Sequence, residues 1–297
     1  TNDVLECVGL SISDLFDETL EEKEKFNYKD GFKSYNDIIR YLKENPIGTD
    51  EISNIYKFKD ENGKIVYLKI RTKEKKFLHV RLIENNLVWG LKGGEYYETF
   101  EGSNIFSSNI KNTKKILCKE QNKVLYNLDY VIKGIREDKT IYIVEGEKDA
   151  DNLIKNDLIA TTTSTGGGAG KDKWNDGYSQ YFKGAKVVIL PDNDKSGIEF
   201  AKQVEESILN YCYRVKTLII SDKEKGDISD WFEEGNHVAQ LFEKLKEVSP
   251  KYAKWYNVSK NGKVTLNRNR LTHHLSLQWD YLVASNGVMN GIFHMYK

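Results

Sequence analysis

Hydrophobic residues change their spacing along this chain. From about residue 53 to 100 they alternate with polar ones in short runs: NIYKFKD, the turn ENG, then KIVYLKIRT, with KFLHVRLI and NLVWGLK behind them. A period of two marks half-buried strands, and the ENG break between the first two runs marks a hairpin. From Thr140 continuous apolar runs alternate with helical stripes. TIYIVEG, LIATTTS, the apolar part of GAKVVILPDND, and RVKTLII read as buried strands. Between and after them, KDADNLIKNDL places Ala150, Leu153, Ile154 and Leu158 on one helical face, and SGIEFAKQVEESILNYC predicts a stripe of Ile198, Ala201, Val204, Ile208 and Tyr211. HVAQLFEKLKEV turns Val238, Leu241, Phe242, Leu245 and Val248 inward. Strands alternating with helices predict an α/β fold: a mainly parallel sheet flanked by helices, with its functional edge at the strand C-termini.

The same pattern divides the chain. Residues 1–50 read as two helical pieces, LSISDLF and SYNDIIRYLKEN, around an acidic stretch, the second stopped by Pro46 and Gly48. Residues 51–139 form a smaller basic subdomain of mixed α+β character, 140–250 the α/β unit, closed by Pro250, and 251–297 the start of a further region around VSKNGKVTLNRNRLTHHL. A length of 297 residues agrees with two or three domains. A chain that opens on Thr1 is expected to be a piece of something longer.

Composition narrows the partners. Formal net charge is zero, which argues against general coating of a polyanion but allows a local basic groove offset by acids elsewhere. Lys69, Arg71, Lys73, Lys75, Lys76, Arg81 and Lys92 make the strands after residue 51 the most cationic stretch. Cys7, Cys118 and Cys212 are far apart and give no zinc ribbon, so no zinc is expected in this chain and a reducing, cytoplasmic setting is. No apolar run is long enough to span a membrane, and no membrane partner is expected. His79, His237, His273 and His274 lack ligand spacing and read as structural.

The acids fall at strand ends. Glu145 follows the first strand of the α/β unit, Asp192 and Asp194 follow the third in PDND, and Asp227 and Asp230 follow the fourth in KGDISDW. In a parallel sheet these ends share one side, so the carboxylates are expected to converge. Crowded carboxylates repel one another unless a cation intervenes. Oxygen-only donors point to Mg²⁺ or Mn²⁺ and to phosphoryl or nucleotidyl transfer.

In the order VEGEKDA, then DND, then KGDISDW, the unit from about 140 to 248 resembles the Toprim family of primases, topoisomerases and nucleases. Within it the chain resembles phage and plasmid DNA primases of bacterial type, on VWGLKGG, KVLYNLDYVI, TIYIVEGEKDADNL and GGGAGKDKW. TNDVLECVGLSISDLFDE is similar to the segment after their zinc ribbon, and WYNVSKNGKVTLNRNRLTHHL to the entry to a helicase linker. The resemblance implies RNA primer synthesis on a single-stranded DNA template from ribonucleoside triphosphates. It implies Glu145 for acid/base or metal work, and Asp192, Asp194 and Asp227 as ligands of Mg²⁺ or Mn²⁺, with two ions expected. Asp149 and Asp230 would be metal or second-sphere groups, unless they cap helices. It implies too a replicative helicase as partner, in cis or in trans. Arg71, Arg81 and Lys123 are candidates for template or phosphate, chosen by charge and place. Trp89, Tyr96 and Tyr97 could stack on bases, although core packing is the better reading.

Two other readings stay open: a Toprim-type nuclease, and a nucleic-acid-binding fragment of weak activity. A topoisomerase needs a large DNA-gate domain for its tyrosine, for which there is no room. The glycine stretch TTTSTGGGAGKDKWND is not a Walker loop, because the first required glycine falls on Thr165 and the hydroxyl position on Asp172. It reads as a loop on the rim of the acids, with Lys171 available to a phosphate or to template.

Overall fold

The computed structural model describes residues 31–45, 47, 51–97, 115–164, 174–252, 256–258 and 264–266. LSISDLF, Lys171 with its glycines, and His273 and His274 lie outside the described residues. Helix α1 (Tyr35–Glu44) starts at a capping box: Ser34 Oγ accepts from the Asp37 N–H, and the Asp37 carboxylate accepts from the Ser34 N–H at 2.7 Å.

Strands β1 (Ile52–Lys59), β2 (Ile65–Thr72), β3 (Phe77–Ile83) and β4 (Asn86–Trp89) form an antiparallel sheet in that order. Register sorts its side chains into two faces, because alternate residues point oppositely. Ile55, Ile70 and Leu78 are paired across three strands, as are Tyr56, Lys69 and His79. The first set joins Leu68 and Val80 over Ile38 and Leu42 of α1, with Trp89 packed against the same cluster. Trp89 is thus a packing residue. The second face, with Tyr67, Lys69, Arg71, Phe77, His79 and Arg81, turns toward the rest of the protein. Strands β5 (Gly94–Tyr97) and β6 (Lys115–Cys118), the first of which holds Tyr96 and Tyr97, make a separate ribbon.

After helix α2 (Leu128–Arg136) come β7 (Thr140–Ile143), α3 (Glu147–Lys155) and β8 (Ile159–Thr161). A 3₁₀ segment (Asp176–Phe182) leads to β9 (Lys186–Ile189), α4 (Lys195–Ile208), β10 (Arg214–Thr217), α5 (Ile228–Glu233) and α6 (Val238–Glu247). The four strands pair in parallel in the order β10-β9-β7-β8. Helices cover both faces. Ile141, Ile143, Val187 and Ile189 pack with Leu128, Val131, Phe200 and Val204, while Tyr142, Val144, Val188 and Leu190 pack with Ala150, Leu153, Leu241 and Leu245. Burying apolar area on two faces is the main stabilising term for such short strands. A short pair, β11 (Tyr256–Val258) and β12 (Val264–Leu266), ends the described chain. Among the described residues no helix is long and apolar enough to cross a membrane.

Two helical stripes differ from those the sequence predicts. On α4 the buried face is Gly197, Phe200, Ala201, Val204 and Ile208, while Ile198 is 50% exposed and Tyr211 is also exposed. Gly197 takes the inward position at the level of Ile198, since a Cβ there would run into the Asp192 backbone and the Glu145 carboxylate. On α6 Leu241 and Leu245 are inward but Phe242 is exposed, at a cavity of about 220 Å³ beside Tyr142, Val188 and Leu245.

Candidate active site

Parallel register brings the strand ends level: Ile143 lies beside both Thr161 and Ile189, and Ile189 beside Thr217. Just past these ends stand Glu145, Asp192 and Asp194. Glu145 Oε1 accepts from the Asp192 N–H at 3.3 Å. Asn193 knits the next loop to them, its Nδ2 donating to the carbonyls of Ser221 (3.1 Å) and Lys223 (3.2 Å) and its N–H to that of Gly226 (2.9 Å). That tether places Asp227 at the same edge. The sequence reading passed over Asn193, whose signal was its place between two acids.

The acids have distinct local duties. Asp194 is the N-cap of α4, accepting from the Gly197 N–H at 2.7 Å. Asp227 caps α5, accepting from the Asp230 N–H at 2.7 Å, and Asp230 closes the capping box from the other side. Asp230 also lies 3.8 Å from Lys223 Nζ. Asp149, in the first turn of α3, is not a cap of this kind. It is buried, takes a hydrogen bond from the Ser229 hydroxyl, and shares another with Asp227; Ser229 in turn accepts from Asn152 Nδ2 at 2.7 Å.

Electrostatics ties the group together. Burial, and then the carboxylates of Glu145, Asp149, Asp227 and Asp194, push the Asp192 carboxyl up to about 8. Burial and then Asp227 push Asp149 up to about 7, against the pull of Ser229 and Lys148. A carboxylate cluster that holds protons near neutral pH is one that a divalent cation would relieve. The donors are all oxygens, as hard cations prefer. Among the described residues no three Asp, Glu, His or Cys groups close on one point as they stand. The donors match such an ion in type and charge, but as they stand they do not close on one.

The cationic face of the antiparallel sheet meets this edge. Lys69 Nζ donates to Glu147 Oε1 at 2.6 Å, with both side chains buried. His79 Nε2 lies 3.0 Å from Ser164 Oγ, at the end of the segment after β8. Burial, with Lys69 and Lys123 nearby, pushes His79 down to about 4, so its ring is neutral. Arg71 lies over the Phe77 ring at 5.7 Å, and Lys123 is exposed. Arg81 is 3% exposed, and its guanidinium donates to the carbonyls of Lys119 (2.6 Å) and Lys92 (2.5 Å), so it ties β3 to the two ends that flank the β5–β6 ribbon. Lys69 and Glu147 are the residues that sequence reasoning missed, since each reads alone as a solvated charge.

No protein-family profile and no curated protein matches this chain. Among the solved structures to which it is similar are several DNA primase domains. One is a primase domain from Pseudomonas aeruginosa, at 14% identity and TM-score 0.41, covering 66% of this chain and 51% of that one. Another holds the zinc-binding and RNA polymerase domains of Aquifex aeolicus primase, at 15% identity and TM-score 0.42, covering 74% and 51%. The E. coli primase catalytic core follows at 13% identity and TM-score 0.42, covering 84% and 74%. The chain spans about half the length of the Pseudomonas and Aquifex chains.

Proposed function

We propose that this chain joins ribonucleotides into short RNA primers on a single-stranded DNA template, as a metal-dependent nucleotidyltransferase of the DNA primase type. The observation that carries the reading is Asp192, a half-buried carboxyl whose strongest charged influences are all carboxylates: Glu145 and Asp149, Asp227, and Asp194 in its own loop. A cation at the edge would relieve such crowding, and perturbed carboxyls in a cluster mark a candidate functional site.

Asp192, with Asp149 and Asp227 beside it, would hold Mg²⁺ or Mn²⁺, and Asp194 would offer the oxygen that its helix cap leaves over. When bound, such ions supply positive charge to the triphosphate and to the attacking hydroxyl. The new P–O bond forms from the 3′-hydroxyl of one nucleotide to the α-phosphorus of the next, the bond to pyrophosphate breaks, and Glu145 takes the hydroxyl proton. Arg71 and Lys123 would track template or triphosphate, and Lys171 a phosphate. A replicative helicase as partner belongs to the same proposal.

The test is incubation of the chain with ribonucleoside triphosphates, Mg²⁺ and a single-stranded template. Short RNA products support the reading. Strand cleavage without triphosphates would replace it with a nuclease, and template binding without either product would leave a binding fragment.

A further inference from the structure

Toward the N-terminal ends of its strands, away from the acids, the parallel sheet borders a cavity of about 220 Å³ beside α6. Register explains its makeup. Thr140, Lys186 and Arg214 stand side by side at the starts of β7, β9 and β10, and Tyr142, Val188 and Lys216 form the next row on the same face. Tyr142 and Val188, with Leu245 and the exposed Phe242 of α6, give the cavity an apolar floor, while the row before them gives it cations. No Asp or Glu is among the described residues that line it.

Local duties account for two of its four cations. Lys216 donates to the Leu245 carbonyl at 2.6 Å near the end of α6, and Lys246 pairs with Glu243 at 2.7 Å. Lys186 and Arg214 differ, because they are neighbours across two strands, and like charges so placed cost stability. The counter-charge beside them is Asp138, which is 78% exposed and pairs with Lys186; Arg214 has no acidic partner among the described residues.

We propose that this cavity is a docking site for an acidic peptide segment of a partner protein: one aromatic or aliphatic side chain fills the floor while a neighbouring carboxylate bridges Lys186 and Arg214. Size sets the anchor. A cavity of ~150 Å³ holds a benzene ring, so about 220 Å³ takes one ring-sized side chain. Charge sets the flanks, since the Arg214 guanidinium carries paired N–H donors that match a carboxylate and the Lys186 ammonium has donors beyond the one given to Asp138. Carbon makes up the floor, with no side-chain amide or carboxylate to read a base edge, and the cations stop at one strand row and one helix end without the track that a nucleic-acid backbone follows.

The test is fluorescence anisotropy of a fluorescein-labelled peptide in which one Phe is flanked on each side by Asp-Asp, titrated with the 297-residue chain. Saturable binding is expected. Arg214→Gln should weaken it about tenfold, as loss of a hydrogen bond to a charged group does, and Phe242→Ser should weaken it several-fold. Lys202→Gln, on α4 and outside the cavity, should leave it unchanged. A second peptide with Ser in place of Phe should bind about tenfold more weakly. Equal binding of the two peptides, or equal weakening by Arg214→Gln and Lys202→Gln, would show diffuse charge attraction and overturn the proposal, as would no binding at all. A single-stranded oligonucleotide of the same charge whose binding alone responds to Arg214→Gln would also overturn it, since the site would then belong to nucleic acid. If Arg214→Gln lowers the melting temperature, Phe242→Ser and the Ser peptide decide. None of these outcomes depends on primer synthesis, so this inference and the proposed function stand or fall separately.

Discussion

The two edges of the parallel sheet handle charge differently. At the N-terminal edge, Lys186 meets Asp138 at 2.5 Å and Lys139 meets Glu137 at 2.8 Å. Both acids there, Glu137 and Asp138, have a lysine partner. At the C-terminal edge the strongest influences on Asp192 after burial are other acids, and Asp149 shares a hydrogen bond with Asp227. The same strands make both edges. What differs is that one edge pairs its acids with lysines and the other crowds its acids against one another.

The largest expected effect breaks this comparison at Asp192. Asp192→Asn should lower primer synthesis by at least ~10²-fold, as loss of a charge that acts on the transition state does. Stability should move the other way. The folded carboxyl titrates at about 8, above its ordinary 3.8, so the folded state binds the proton more tightly than the unfolded. Its contribution is full at pH below the ordinary value and is lost as pH rises toward about 8. Asp149, at about 7, adds in the same direction. Metal-free melting temperature should therefore fall between pH 4 and 8 in the parent, less steeply in Asp192→Asn, and Mg²⁺ should recover it only in the parent. A parallel decline in both would show that the acids at this edge are as well compensated as those at the other.

How much of this was legible turns on sequence distance. Glu145, Asp192 and Asp194 sit directly after apolar strands, and a parallel sheet puts such residues together without further information. Asp227 and Asp230 have the i, i+3 spacing of a capping box, and that is how Asp230 is used. Asp149 is harder, because an acid in the first turn of a helix looks alike whether it serves the helix dipole or faces a site. Lys69 and Glu147 are 78 positions apart, and His79 and Ser164 are 85 apart. Only the packing of one sheet on another makes either a pair. Composition alone put Arg81 among the template candidates, while two carbonyls at the end of its guanidinium explain it. Ile198 failed as a core residue because periodicity fixes a helix's apolar arc only to within about one position, and close approach at Gly197 decided the rest.

Arg81 sharpens the contrast from a second side, since it is a charge kept for the fold. Arg81→Met leaves the Lys92 and Lys119 carbonyls without their charged donor and should cost about 3 kcal/mol in urea unfolding. Template affinity of the folded fraction should change little. The reverse outcome, unaltered stability with weakened single-strand binding, would return Arg81 to the nucleic-acid face.

The smallest effect is expected at the N-terminal edge. Asp138 is 78% exposed in its pair with Lys186, so solvent screens the attraction and both side chains lose freedom in making it. Asp138→Asn should change unfolding free energy by less than about 0.5 kcal/mol, and the change should be flat from pH 6 to 9 because the pair it removes is exposed and screened. Its slope with pH is the sharper readout. Set beside Asp192→Asn under identical metal-free conditions, it isolates location: both substitutions remove one carboxylate from an end of the same sheet, and only the one crowded by other acids should alter how stability responds to pH and to Mg²⁺. A pH slope at Asp138 as steep as at Asp192 would mean that the whole sheet, and not one edge of it, carries the uncompensated charge.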